Sequence, residues 1–131
     1  MDKINIAKEL ILKEIPDVMA IYIFGSYASQ TQGEKSDIDL AILHDKKISK
    51  EYLWNLSQKI ATKVQLEIDL IDLLEASTVF AFQIINEGKL LYSSDEKNRA
   101  IYENSIDSMY LDLNEMRKDI IENIKKRKEV Y

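Results

Sequence analysis

The chain has 131 residues, 46% of them apolar and 31% charged, with a net charge of −5 and no cysteine. That composition suits one folded domain over 1–131 rather than a disordered chain, and it excludes disulfides, zinc–thiolate sites and thiol nucleophiles, in keeping with a reducing cytoplasm. No run approaches the ~20 apolar residues of a membrane span, the N-terminus carries no stretch of signal-peptide type, and the negative balance disfavours direct nucleic-acid binding.

The elements follow in chain order. Ile4, Ala7, Leu10 or Ile11 and Ile15 recur at helical spacing and predict a helix over 3–15, stopped by Pro16-Asp17. Val18 to Phe24 is almost wholly apolar and β-branched or aromatic, which predicts a buried strand ended by Gly25-Ser26. After a polar segment over 30–36, Asp37 to Leu43 alternates as a second strand, with Asp37, Asp39 and Ala41 on one face and Ile38, Leu40 and Ile42 on the other.

Ser49 is placed to cap a helix reaching Val64, and core packing is expected of its Tyr52, Trp54 and Leu56. Glu67 to Leu73 predicts a third strand, with Ile68 and Leu70 opposite Glu67, Asp69 and Ile71. A helix over 74–86 ending at Gly88, then a short strand over 89–92, complete a core of about 1–93. A long helix is expected over about 95–126. Its Tyr102, Ile106, Met109, Leu113, Met116 and Ile120 form one narrow stripe. At ~45 Å for about 30 residues it outreaches so small a core, so part of it is expected to overhang and dock a helical partner. Lys125, Lys126, Arg127 and Lys128 read as a solvated helix end. The alternation of strands and helices predicts an α/β (α+β) fold, a small mixed sheet with flanking helices.

The chemistry concentrates in carboxylates. Asp37 and Asp39 project from the same strand face, their Cα atoms two rises or roughly 6–7 Å apart. Such a pair repels itself unless a cation lies between, and hard divalent ions such as Mg²⁺ take carboxylates and phosphates as ligands. Asp69, on the polar face of the next strand, is the natural third ligand and is preferred over Glu67 and Asp72; Asp72 falls on the opposite face and suits a cap. Gly25 lets the chain turn and approach a ligand, while Ser26 offers a hydroxyl and opens a short helical segment whose amides suit an anion. The lone His44, beside Asp45, reads as a surface residue.

Gly25-Ser26 at a strand end, ten residues, then Asp37-Ile38-Asp39 in a second strand resembles the DNA polymerase β-like nucleotidyltransferase superfamily, in its minimal form. Glu67 to Leu73 resembles the third-carboxylate strand of those proteins, and Gln83 to Tyr92 their following helix and strand. The C-terminal helix, with Arg99, Tyr102, Tyr110 to Leu113 and Arg117, is similar to the tail of the MntA-type antitoxins. The likeness covers nearly the whole chain and implies the polymerase β-like fold. It implies transfer of AMP from ATP to a tyrosine of a partner HEPN ribonuclease toxin, which silences the toxin. It also implies that Gly25 and Ser26 hold phosphate, that Asp37, Asp39 and Asp69 hold Mg²⁺ (two ions), and that Asp69 helps deprotonate the acceptor. Ser29 and Gln30 stand where many relatives carry Arg-Gly, with Lys35 nearby as a substitute cation. Two competing expectations remain: an antitoxin that neutralises its partner by binding alone, and a nucleotidyltransferase for a small molecule such as an aminoglycoside, for which so short a chain offers little pocket.

Overall fold

A computed structural model describes residues 2–25 and 37–130, with side chains described only as far as residue 122. Helix α1 (Lys3–Glu14) starts at Asp2, whose carboxylate accepts the Ile4 amide at 3.0 Å. Strand β1 (Ala20–Phe24) and β2 (Ile38–Leu43) follow. Helix α2 (Lys50–Val64) is capped by Ser49, whose hydroxyl accepts the Tyr52 amide at 3.1 Å, and it ends on Gln65 in the left-handed region at φ 57°. Then come β3 (Ile68–Asp72), α3 (Thr78–Glu87), β4 (Lys89–Ser93) and the 35-residue α4 (Glu96–Val130). Among the described residues no helix is long and apolar enough to cross a membrane.

The third helix begins at Thr78, four residues later than its apolar pattern predicts. Asp72 explains the delay. Its carboxylate accepts the Leu74 amide at 3.0 Å and its carbonyl accepts the Glu75 amide at 3.0 Å, which holds this segment as a turn. Ser77 then caps the helix proper through the Phe80 amide. Gly88 ends α3 with φ −80°, so no left-handed turn is involved. It is a glycine because of space: a Cβ there would lie 2.7 Å from the Ile23 carbonyl oxygen of β1.

The four strands form one mixed sheet in the order β3-β2-β1-β4. β1 runs antiparallel to β2 and β4, while β2 and β3 are parallel. The alternation in sequence becomes two apolar layers. Ile21, Ile23, Ile38, Leu40, Ile42, Ile68 and Leu70 face α1 and α2, meeting Ile11, Leu53 and Ile60. Ala20, Tyr22, Ala41 and Leu43 face α3 and the start of α4, meeting Ala81, Ile84 and Ile106. Each fully buried Ile or Leu contributes about 1.5–3 kcal/mol by leaving water, so both layers are needed to hold so small a sheet.

Helix α4 is fixed by polar contacts as well as apolar ones. The buried Tyr22 hydroxyl donates to Glu103 Oε2 at 2.6 Å, and Arg99 Nη1 donates to the same oxygen at 2.9 Å. Arg99 also donates to Ser93 Oγ at 3.0 Å and pairs with Glu96. Phe82 of α3 stacks on Tyr110 with ring centroids 3.7 Å apart. Beyond that ring the helix runs outward.

Candidate active site

The parallel pairing of β2 and β3 sets Asp39 directly opposite Asp69, and the antiparallel pairing of β1 and β2 sets Asp39 opposite Phe24. Three adjacent strands therefore deliver Gly25, Asp39 and Asp69 to one place on the α3 side of the sheet. Gly25 has φ +72°, a conformation L side chains rarely adopt, and a Cβ built on it would fall on the Asp39 carboxylate. The turn after β1 thus requires glycine twice over, for its backbone angle and for its closeness to Asp39.

Asp39 is partly buried, and burial pushes its carboxyl above the usual carboxylate range. The charges of Asp69 and then Asp37 push it the same way. Carboxylates gathered around one another in this way are an oxygen donor set suited to a hard divalent cation. Asp37 is exposed, one residue before β2, and the carboxylate oxygens of Asp37, Asp39 and Asp69 are not all within 4.8 Å of one another. Ser26 lies outside the described residues, as do Ser29, Gln30 and Lys35.

The alternatives for the third carboxylate are separated by their surroundings. Asp72 is 4% exposed and engaged on the other face, accepting the Ile48 amide at 2.9 Å and the Leu74 amide. Glu67 precedes β3, and its carbonyl accepts the Ile38 amide at 3.0 Å. Only Asp69 of the three sits in β3 opposite Asp39.

His44 differs from its sequence reading as a surface residue. Its ring is 12% exposed and lies between Asp17 Oδ2, 3.0 Å from Nε2, and Asp45 Oδ1, 3.2 Å from Nδ1. Burial lowers its pKa, but the adjacent Asp17 carboxylate, the Lys46 carbonyl and the Asp45 charge together outweigh that and raise it. This group closes the opposite end of β2, about 17 Å from Asp39 at ~3.3 Å per residue. It is separate from the carboxylates around Asp39.

A cleft of about 600 Å³ opens beside Asp69, with β3 as its floor, Trp54 and Gln58 of α2 on one wall and Ser77 and Phe80 of α3 on the other. The core role expected of Trp54 is not what the fold uses. Trp54 is 63% exposed and Tyr52 40%, whereas Leu56 is buried. The buried face of α2 is set by Leu53, Leu56, Ser57, Ile60 and Val64, and Trp54 stands about 100° round the helix from Leu53. Phe80 meets Phe24 edge to face at 5.6 Å, which places an aromatic pair beside the carboxylates. Sequence spacing marks neither ring as part of the site; only the position of α3 over the sheet does.

Residues 6–97 match the family described as Polymerase beta, Nucleotidyltransferase. The chain is 36% identical over 116 residues to the protein adenylyltransferase MntA of Shewanella oneidensis, covering 88% of this chain and 83% of that protein. It is similar to a chain in a crystal structure of a toxin–antitoxin with AMP-PNP, at 34% identity and a TM-score of 0.82, covering 95% of this chain and 98% of the other. A structure of tri-AMPylated Shewanella oneidensis HEPN toxin in complex with MNT antitoxin matches at 32% identity and a TM-score of 0.75, again over 95% and 98%. With glycine and opposed aspartates in the positions described and the match spanning sheet and helices alike, the chain belongs to the polymerase β nucleotidyltransferase family, in the group of the MntA adenylyltransferase.

Proposed function

We propose that this protein is an antitoxin that transfers AMP from ATP to a tyrosine of a HEPN toxin partner. The observation that carries the reading is the meeting of Gly25, Asp39 and Asp69 across three adjacent strands. Relatives over nearly the full chain include an adenylyltransferase and structures with AMP-PNP and with an AMPylated HEPN toxin, which supports both the reaction and the partner.

Gly25, with Ser26 next to it, receives the phosphates, because a backbone without a Cβ allows the triphosphate to come close. Asp37, Asp39 and Asp69 hold Mg²⁺, which when bound neutralises the triphosphate and the departing pyrophosphate. Asp69, outermost of the strand-borne carboxylates, takes the proton of the acceptor. A tyrosine hydroxyl has a pKa near 10, so it needs a base at neutral pH. Its oxygen forms a bond to the α-phosphorus, the bond from that phosphorus to the bridging oxygen breaks, and pyrophosphate leaves. The partner has an apolar face available on the outer part of α4, where Met109, Met116 and Ile120 share one side of the helix and are 43–60% exposed.

The test is mass spectrometry of a co-encoded HEPN protein incubated with the purified chain, ATP and Mg²⁺. Additions in AMP units are expected. The Asp37→Asn, Asp39→Asn double variant should lower the rate by at least about 10³-fold, the scale of removing charge stabilisation from a reaction centre. Undiminished modification by that variant overturns the catalytic assignment. Protection of cells by the variant without any AMP on the partner would instead favour neutralisation by binding alone.

A further inference from the structure

The sheet ends at β3. That strand pairs only with β2, and it does so in parallel, so the amides and carbonyls of Glu67, Asp69 and Ile71 turn inward while those of Ile68 and Leu70 turn outward. Among the described residues those outward groups have no backbone partner, whereas the next outward carbonyl, that of Asp72, is taken by the Glu75 amide. They form the floor of the cleft between Trp54 and Phe80, and the same cleft reaches Asp69. An unpaired strand edge at the bottom of an apolar trough is a template for one more strand.

We infer that this edge receives an extended segment of the protein substrate as a fifth strand and that the segment presents the acceptor tyrosine to Asp69. The inference rests on the reading of Asp69 as the acceptor's base. Its geometry follows from the sheet. A residue paired beside Asp69 has its side chain on the same face, with Cβ atoms about 4.5–5.5 Å apart. From the edge inward the order is then acceptor, Asp69, Asp39, Gly25. The acceptor comes from one side and the phosphates from the other, as displacement at phosphorus requires, with the carboxylates between them. The neighbours of the tyrosine in that segment alternate between the two walls. Residues one position away face Trp54, and those two positions away lie on the side of Phe80 and Ser77, so apolar residues are favoured there.

Backbone amide exchange, read residue by residue by NMR on the full chain, tests this. Samples contain Mg²⁺ and a non-hydrolysable ATP analogue, with and without the co-encoded HEPN partner. The Ile68 and Leu70 amides should exchange about tenfold or more slowly when the partner is added, while the inward amides of Asp69 and Ile71, already bonded to β2, change little. Trp54→Ala, at an exposed position, should raise KM for the partner about tenfold and leave KM for ATP unchanged. Protection of the same amides by nucleotide alone, with KM for ATP raised instead, would show the cleft to be a base pocket and overturn the inference. So would amides and both KM values that do not respond. If the wild-type chain transfers no AMP, the functional reading fails by itself; protection of Ile68 and Leu70 by the partner would still uphold the docking.

Discussion

On β2, Asp39 stands opposite Asp69 on one side, and its carboxylate lies against Gly25 on the other. Burial and two like charges favour its neutral form in the folded chain. The native state therefore keeps this proton to a higher pH than the unfolded state, where the carboxyl titrates near ~3.9. Its effect on stability is most favourable below that value and worsens as pH rises through the folded value. Without divalent cation, Asp39→Asn should raise Tm by about 2–4 °C at pH 7, a small gain because solvent screens part of the charge, and the gain should vanish below about pH 4. Thermal unfolding in chelator across that range checks the sign; a variant less stable than wild type at pH 7 would mean that Asp39 is held by contacts rather than strained.

At the scale of elements, the far end of β2 shows what a side-chain clamp does for a small sheet. His44 joins the loop entering β1, through Asp17, to the turn leaving β2, through Asp45. Its pKa is raised, so the stabilisation is complete below the unfolded value near ~6.5 and is lost as pH rises through the higher folded value. Both partners are more than half exposed, so the effect is modest. Urea titrations should show His44→Gln less stable than wild type by about 0.5–1 kcal/mol at pH 6, with the difference shrinking toward pH 8. A difference that stays constant over that range would point to packing rather than charge. Asp72 does the same at the end of the edge strand, where one carboxylate bonded to the Ile48 and Leu74 amides ends β3 and delays α3.

The whole molecule is a small sheet with one element much longer than the rest. At 1.5 Å per residue the 35-residue α4 spans about 52 Å, and among the described residues its packing on the sheet layer and α3 comes from the first half. Stability should divide accordingly. Ile106→Ala, in the layer with Tyr22 and Ile84, should cost about 2–4 kcal/mol. Leu111→Ser and Met116→Ser, on residues 62% and 60% exposed, should each stay within about 0.5 kcal/mol of wild type. Urea denaturation of the isolated chain distinguishes the two classes; large losses at Leu111 or Met116 would mean the outer helix packs on something in the free protein.

Much of this was legible beforehand because period and spacing are local properties. Alternation assigned Asp39 and Ala41 to one face and Ile38, Leu40 and Ile42 to the other, and the two layers separate Ala41 from the other three in that way, while Asp37 falls just before β2. The cap at Ser49 lay where its chemistry placed it, α3 ended at Gly88 although for want of space rather than for a left-handed turn, and helical spacing made α4 too long for its core. What sequence could not settle was everything that depends on neighbours distant along the chain. Strand order and register made Asp69 the counterpart of Asp39, while a hydrogen-bonded turn claimed Asp72. The same packing left Trp54 outside the core, drew His44 inward between two carboxylates and made β3 an edge. A sequence states which way each side chain points from its own strand or helix; only the packed structure decides what stands opposite.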